Sequence, residues 1–377
     1  MSTLIDLFSL SLLFWLAAWR LWGDRNGWLA LVNAWAWWLL SAAIPAGIVS
    51  LWRRSRLAAL AWATVGVALW LGENGWMRPA PLKPLPPLPH RPRTTTGELG
   101  KLSLLTFNLL NNERDLTPVL KLIASETPDV LLLQECIPGH AAQLETGLAR
   151  AYPHRLWLPA PAYGMGFGIA SRLPFALTGF WQYPGFEPFA ARITLCLNLT
   201  GGPTEPIARQ SIARQSIATG PPVRSGKELD LYCVQFISPT NEVRRVGPTA
   251  LLRLRERQID WVLAEIERRG EAAIVAGDWN STAASDAYQR AAGVLVDGWR
   301  EAGTGPGWSW PRRLNPYLDK AARPVLRLDY AMHTGRRYAP GLAVTKMRVI
   351  RDDLGSDHCP LLARIALTNG KPAPVGW

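Results

Sequence analysis

Apolar residues are concentrated in about the first 75 positions, and this constrains the fold more than any other feature of the sequence. Three apolar runs lie there, at Thr3–Trp22, Trp28–Trp52 and Leu57–Leu71. The first two are long enough to cross a hydrocarbon core about 30 Å thick, which needs roughly 20 helical residues. The third reaches that length when it is extended to Met77. Because such runs leave no polar face for water, residues 1–77 are predicted to form about three transmembrane helices. A buried helical hairpin of a soluble protein is the alternative.

Arginine positions around these runs predict the orientation of the helices. Arg53, Arg54 and Arg56 form a tight basic cluster in a short loop, and the positive-inside rule places such a loop in the cytoplasm. Arg20 and Arg25 favour the opposite arrangement. If the tight cluster decides, three spans place the C-terminal domain outside the cytoplasm, in a multi-pass protein of the cell membrane.

A proline-rich segment separates the apolar part from the rest. Residues 78–93 contain seven prolines in sixteen positions. Because proline fixes φ and lacks an N–H donor, residues 78–96 are predicted to form an extended linker. Residues 97–377 then form one domain. The net charge of +12 divides into +6 before residue 97 and +6 after it, so this longer domain is only mildly basic, and charge gives little support for a polyanionic partner.

Short apolar runs alternate with turns and helical patterns from Lys101 onward. Strands are predicted at 102–108, 130–134, 168–171, 193–199, 229–236, 272–276, 326–332 and 361–367, and helices at 116–125 and 253–269. Several strands with few helices between them favour a mixed α/β sandwich over a doubly wound sheet.

The four cysteines lack the spacing of zinc ligands and are predicted to pack in the core. They are Cys136, Cys196, Cys233 and Cys359. Cys196 and Cys233 fall in two predicted strands, so one disulfide between neighbouring strands is left open.

Acidic and amide side chains recur where the predicted strands end. Asn108 closes the first strand, and Glu135 directly follows the run at 130–134. Asp278 and Asn280 come after the strand at 272–276. A carboxylate at the end of an apolar strand is costly unless it is solvated, paired or bound to a metal. These side chains are therefore candidates for one polar cleft.

Two further motifs lie near the C-terminus. The first is Arg-Leu-Asp-Tyr, which contains Asp329, and the second is Gly-Ser-Asp-His-Cys-Pro, which contains Asp357 and His358. An Asp-His pair with another Asp on a nearby strand provides a carboxylate that orients the imidazole and raises its pKa.

Together these motifs resemble the endonuclease/exonuclease/phosphatase superfamily, which includes exonuclease III, deoxyribonuclease I, neutral sphingomyelinases and inositol polyphosphate 5-phosphatases. The motifs occur in the family's order and span nearly all of residues 100–370. The resemblance implies a four-layered α/β sandwich of the deoxyribonuclease I type and a metal-dependent phosphoric ester hydrolase. Combined with the apolar N-terminus, the chain is similar to membrane-anchored bacterial members.

The resemblance also implies a metal site. Glu135 is expected to bind Mg²⁺ at the floor of the cleft, helped by Asn108 and Asp357, with Mn²⁺ as an alternative ion. An oxygen-rich set suits magnesium, and the absence of a histidine or cysteine cluster from the sequence argues against zinc.

Catalytic roles follow from the same resemblance. Asp278 is expected to position or deprotonate the attacking water, and Asn280 is expected to hold a phosphate oxygen. His358, oriented by Asp329, is expected to contact the phosphate and stabilise its developing charge. These groups suit the negative charge that grows during phosphoester hydrolysis.

One position departs from the family pattern. Many members carry a histidine after the strand at 229–236, where this chain has Gln235. Glutamine donates hydrogen bonds but does not shuttle protons near neutral pH. Gln235 and Asn241 are therefore predicted to contact substrate.

Three interpretations of function stay open at this point. The motif spellings look most like the exonuclease III branch and favour nucleic acid as the substrate. Membrane tethering and mild basicity favour a phospholipid head group or a small ester, as in sphingomyelin-type phosphodiesterases. A non-catalytic tethered module that retains the fold is the third, with Gln235 as a sign of decay.

Overall fold

The computed structural model describes residues 2–52, 66, 98–159, 166–197, 227–238, 246–312, 323–335, 338–339, 341–352 and 354–368. The predicted third apolar run, apart from Gly66, lies outside the described residues, as do the linker at 78–96 and Asn241.

The described chain contains eight helices and twelve strands. In chain order they are α1 (Ser2–Trp22), α2 (Gly27–Asn33), α3 (Ala36–Trp52), β1 (Glu98–Asn108), α4 (Thr117–Glu126), β2 (Val130–Gln134), α5 (Pro138–Leu148), β3 (His154–Leu158), β4 (Phe167–Ser171), β5 (Phe175–Gln182), β6 (Pro188–Leu197), β7 (Lys227–Gln235), α6 (Pro248–Arg269), β8 (Ala273–Asp278), α7 (Asp286–Val294), β9 (Val296–Asp297), α8 (Gly298–Ala302), β10 (Asp329–His333), β11 (Leu342–Val349) and β12 (Leu361–Thr368).

The strands form two six-stranded sheets that pack face to face. Their orders are β11-β12-β1-β2-β4-β3 and β5-β6-β7-β8-β10-β9. Alternate side chains of a strand point to opposite faces. In β1, Leu102 and Leu104 therefore enter the core between the sheets, whereas Leu105 and Phe107 face the other way.

Helices cover the outer face of each sheet. α4 and α5 pack on the first sheet, and α6 and α7 pack on the second. The inner strands are thus buried on both faces, which explains why β2 is a continuous apolar run. The expected α/β sandwich, with four layers, is confirmed.

The first two helices and the start of the third pack against one another and against the sandwich. Trp15 and Trp19 stack with ring centroids 5.3 Å apart, and the apolar cluster they belong to reaches Ala284 beside α7. The second apolar run is not one straight helix, because it is broken at Ala34 and Trp35 between α2 and α3.

No single helix among the described residues is long and apolar enough to cross a membrane. One bent pair, Gly27–Asn33 with Ala36–Ala46, meets the length and composition requirements together, with a bend of 61°. The described helices therefore do not support the expectation of about three transmembrane helices, whose third run, apart from Gly66, lies outside the described residues.

The disulfide that the sequence left open is not formed. All four cysteines are free. β6 and β7 are indeed neighbours, but Cys196 pairs with Glu228, whereas Cys233 pairs with Ala191. The two cysteines are thus offset by five positions, or about 17 Å at the rise of a strand, and a disulfide needs Cα atoms within about 7 Å.

Candidate active site

The ends of four central strands meet at one edge of the sandwich. β1 and β2 are parallel, as are β7 and β8, so Asn108 lies beside Gln134, and Gln235 lies beside Asp278. The Asn108 amide joins the sheets, since its Nδ2 donates to Glu135 Oε1 at 2.9 Å and to Asp278 Oδ2 at 3.1 Å. Both carboxylates therefore face one cleft.

Glu135 is held in a single orientation by its neighbours. Gln235 Nε2 donates to Glu135 Oε1 at 2.8 Å, and the backbone N–H of Asn111 donates to Glu135 Oε2 at 2.9 Å. The φ of Glu135 is +54°, a conformation that a non-glycine residue adopts at a cost. Burial raises the pKa of Glu135, although the hydrogen bond from Asn108 opposes the shift. A cation beside this carboxylate would offset the cost of burying its negative charge.

β8 ends at Asp278, which lines the cleft. Gly277 has φ +147°, and a Cβ there would lie 1.9 Å from the carbonyl oxygen of Val234, so glycine is required. Asn280, at φ +47°, donates from its backbone N–H to Asp278 Oδ1 at 2.8 Å and from Nδ2 to Asp278 Oδ2 at 3.0 Å. The second Nδ2 hydrogen is donated to Phe236 O at 2.9 Å.

His358 lies between two carboxylates. Its Nδ1 is 2.9 Å from Asp329 Oδ2, and its Nε2 is 3.7 Å from Asp278 Oδ2. Asp329 is directly opposite Asp278 in the β8–β10 pair, which explains how one ring reaches both. Although burial opposes protonation, Asp329 and Asp278 raise the pKa of His358 well above its ordinary value. The imidazolium is thus the counter-ion of this pair.

The pKa of Asp278 is raised to about 7, chiefly because the side chain is buried. His358 opposes this shift, whereas the negative charge of Asp329 adds to it. A carboxylate that titrates near neutral pH is suited to accept a proton from water.

Asp357 provides an unsatisfied oxygen at the same cleft. Its Oδ2 accepts from Trp310 Nε1 at 3.1 Å, while its Oδ1 is buried and accepts no hydrogen bond from the described residues. The charge of Asp357 also contributes to the raised pKa of Glu135. The carboxylate oxygens of Glu135 and Asp357 suit Mg²⁺. Asn108 Nδ2 faces Glu135, while Asn108 Oδ1 accepts from the backbone N–H of Leu110 at 2.9 Å, so a ligand role for Asn108 stays a prediction.

A second group of possible ligands is formed by Asp278, Asp329 and His358, whose ligand atoms lie within 4.8 Å of one another. Both nitrogens of His358 already face carboxylates in this group. A protonated imidazole is not a metal ligand, so the carboxylates of Glu135 and Asp357 fit a divalent cation better.

The cleft has a volume of about 430 Å³. Every described residue that the sequence predicted to be functional lines it or contacts a residue that does. In the structure, the Gln235 amide is directed at Glu135, and the Asn280 amide is directed at Asp278. Their contacts with substrate stay predictions, as does that of Asn241.

Sequence reasoning missed Arg255 on α6. Its guanidinium is buried, lines the cleft and donates to the carbonyl oxygen of Asn280. Its Nε has no partner among the described residues. The sequence does contain a signal for Arg255. It follows Leu252 by three residues and precedes Ile259 by four, so a charged residue lies on the apolar side of an amphipathic helix.

Comparisons with known proteins agree with this geometry. Residues 105–358, about two thirds of the chain, match the model described as the Endonuclease/Exonuclease/phosphatase family. The chain is similar to a solved structure of D. rerio TDP2 humanized by 14 mutations, with 21% identity and a TM-score of 0.50 over 70% of this chain and 98% of that chain. It is also similar to an endonuclease/exonuclease/phosphatase from Bacteroides vulgatus, with 16% identity and a TM-score of 0.50 over 71% of this chain and 99% of that chain. At these identities the two structures show a common fold. A comparison with curated proteins found no relative.

Proposed function

Because the chain belongs to the endonuclease/exonuclease/phosphatase family, we propose that it is a membrane-anchored, Mg²⁺-dependent enzyme that hydrolyses a phosphoester by attack of water. The arrangement of His358 carries this proposal, since the ring is paired with Asp329 and lies within 3.7 Å of Asp278. A cationic imidazole beside a general base is suited to phosphoryl transfer to water.

The protein's own residues divide into two functional groups. Asp278 accepts a proton from the attacking water, and Asn280 fixes the orientation of Asp278. Protonated His358 donates a hydrogen bond to a phosphate oxygen and stabilises the charge that develops there.

Glu135, Asp357 and Asn108 would hold the cation, which supplies positive charge next to the phosphate. Gln235 keeps Glu135 in place through its amide. This role does not need a proton, so the absence of a histidine at this position is compatible with hydrolysis.

Turnover of bis-p-nitrophenyl phosphate by the purified full-length chain tests the proposal. With Mg²⁺ present, Asp278→Asn should lower kcat by about 10²- to 10⁴-fold, the usual contribution of a general base. Asp352→Asn is the matched control, because Asp352 is exposed. Equal rates for the wild type and Asp278→Asn, or full activity in EDTA, would contradict the proposal.

Attachment to a membrane is the second part of the proposal. Thirteen of the sixteen large hydrophobic side chains that are exposed among the described residues lie between Leu7 and Trp52. Such a large exposed apolar surface marks an interaction site. The bent pair of α2 and α3 is long enough to enter a bilayer.

The proposed side of the membrane is the extracytoplasmic one, from the Arg53, Arg54 and Arg56 cluster. A cysteine introduced at the exposed Glu271 tests it in intact cells. Labelling by a membrane-impermeant thiol reagent is expected, with the unsubstituted chain as the control. Labelling only after the cells are lysed would place the domain in the cytoplasm.

A further inference from the structure

The N-terminal helices form one wall of the catalytic cleft. Ala30 and Leu31 on α2, with Ala34 and Trp35 in the turn before α3, form its apolar part, which we call the apolar wall. Asp24 and Asn33 also line the cleft from these helices, but they are hydrogen-bonded to each other. The same cleft contains the catalytic and metal-site residues described above, so the space for substrate has an apolar part beside a charged one.

Specific contacts fix this wall to the catalytic domain. The N–H of Gly27 donates to Thr249 Oγ1 on α6 at 3.0 Å, and a Cβ at Gly27 would lie 2.3 Å from the backbone nitrogen of Thr249. Asp24 and Asp286 exchange two hydrogen bonds, each from a backbone N–H to the other side chain, at 2.8 and 2.9 Å. The start of α2 is thus held against both α6 and α7.

A third attachment lies at the start of α3. Trp38 Nε1 donates to the carbonyl oxygen of Val325 at 3.0 Å, and its ring centroid is 5.1 Å from that of Trp308. With attachments on both sides of the turn at Ala34 and Trp35, the apolar wall has a defined position opposite the catalytic groups.

The apolar wall is continuous with the exposed apolar surface. Trp35 lines the cleft and is also 41% exposed. On the neighbouring helices, Phe14, Trp28 and Ile48 are exposed as well. Trp35 therefore belongs both to the cleft and to the exposed apolar surface of the helices.

Residues near the turn between α1 and α2 indicate the level of the cleft in a membrane. Trp22 and Trp28 are exposed at the two sides of this turn, and Arg20 and Arg25 are exposed beside them. Tryptophan prefers the interface of a bilayer, where arginine reaches the head groups. Asp24, in the same turn, lines the cleft, so a bilayer that held these side chains at its interface would have its head groups beside the cleft.

We infer that the substrate is a phospholipid of the bilayer, whose phosphate enters the polar side of the cleft while an acyl chain lies along the apolar wall. This inference rests on the proposed phosphoesterase function and names its substrate class. Water forms a new P–O bond, the bond from phosphorus to the departing alcohol oxygen breaks, and the proton lost by water balances the one gained by that oxygen. One phosphodiester and one water give a phosphomonoester and an alcohol.

The experiment compares each phospholipid with its own deacylated form. Dioleoyl phosphatidylglycerol, phosphatidylethanolamine and phosphatidylcholine are presented in mixed detergent micelles to the full-length chain with Mg²⁺. Each is paired with its deacylated, water-soluble counterpart, and a single-stranded oligonucleotide and bis-p-nitrophenyl phosphate are tested in parallel. The expected result is a kcat/KM at least about tenfold higher for one acylated lipid than for its counterpart, from burial of part of one chain.

Two leucine substitutions test the wall itself. Leu31→Asn should lower the ratio of kcat/KM between the lipid and its deacylated counterpart by about tenfold. Leu177→Asn is the matched control, because Leu177 on β5 is 38% exposed and lies outside both the cleft and the N-terminal helices, and it should leave the ratio unchanged. Leu31→Met should retain the ratio, and Ala34→Asn provides a second variant if Leu31→Asn unfolds.

The outcomes separate the inference from the function on which it rests. Hydrolysis of bis-p-nitrophenyl phosphate or the oligonucleotide without a preference for any acylated lipid overturns the inference and leaves the phosphoesterase in place. Equal ratios for a folded Leu31→Asn or Ala34→Asn variant and for Leu177→Asn also overturn it. No hydrolysis of any compound by the wild type overturns both.

Discussion

Replacing Asp278 by asparagine should change how the stability of the metal-free protein depends on pH. Asp278 is 1% exposed, and its pKa is raised from 3.8 to about 7, chiefly by burial. The folded state therefore binds the Asp278 proton more tightly than the unfolded state does. Stability falls as the pH rises from 3.8 towards 7, and above 7 the loss is complete.

The magnitude follows from the size of the shift. Relative to low pH, the raised pKa of Asp278 lowers stability by about 2 kcal/mol at pH 5, where only the unfolded state has released the proton, and by about 4 kcal/mol at pH 8, because one unit of pKa corresponds to about 1.4 kcal/mol. Asparagine removes this cost. It also turns an Nδ2 donor towards Asn108 and Asn280, which donate to Asp278 Oδ2, and each lost hydrogen bond costs about 1 kcal/mol. That loss does not vary with pH, so the clean observable is the change between pH 5 and pH 8.

The assay is thermal unfolding in EDTA at both pH values. The Tm difference between Asp278→Asn and the wild type should increase by roughly 5–10 °C from pH 5 to pH 8, at about 2–4 °C per kcal/mol. Asp352→Asn, at an exposed position, should show no such increase. A Tm difference that stays constant or decreases with pH would refute the assignment of Asp278 as a buried carboxylate that titrates near neutral pH.

Three further substitutions test the structure around the catalytic groups. Arg255→Ala should lower kcat about 10- to 100-fold with a smaller change in KM, because the carbonyl oxygen of Asn280 loses its buried donor. Wild-type kinetics in this variant would exclude a positioning role for Arg255. Gln235→Leu should raise the Mg²⁺ concentration for half-maximal activity about tenfold, because Glu135 loses its amide donor, and an unchanged Mg²⁺ titration would argue that Gln235 acts elsewhere. Gly277→Ala should lower the free energy of unfolding by more than about 3 kcal/mol, because its Cβ would meet a β7 carbonyl oxygen at 1.9 Å. Denaturant unfolding measures this free energy. A loss below about 1 kcal/mol would show that the backbone at Gly277 relaxes.

The central strands could be predicted from the sequence because they are buried on both faces. The run at 130–134 was predicted at the positions where β2 lies, since Pro128 and Asp129 precede it and Glu135 follows it. The missed strands are β3, β5, β9 and β11, and these are the four edges of the two sheets. Edge strands are partly exposed, so their sequences lack a continuous apolar run.

The helical N-terminus shows the same distinction. The apolar runs predicted helices at 3–22 and 28–52, and α1, α2 and α3 occupy these positions apart from the break in the second run. Composition did not predict the break at Ala34 and Trp35, since Ala and Trp do not interrupt an apolar run. The attachments of Gly27 and Trp38 on either side of the break show how the second run is held against the catalytic domain.

The sequence by itself determined the family and the identity of the polar residues, because each motif is a short local pattern at the end of a strand. Only the tertiary structure decided how these residues act on one another. Asn108 bridges Glu135 and Asp278, Gln235 holds Glu135, and α2 walls the cleft. Most of these contacts join residues about 100 or more positions apart in the chain. Strand register and the packing of helices determine them, and a local sequence pattern specifies neither.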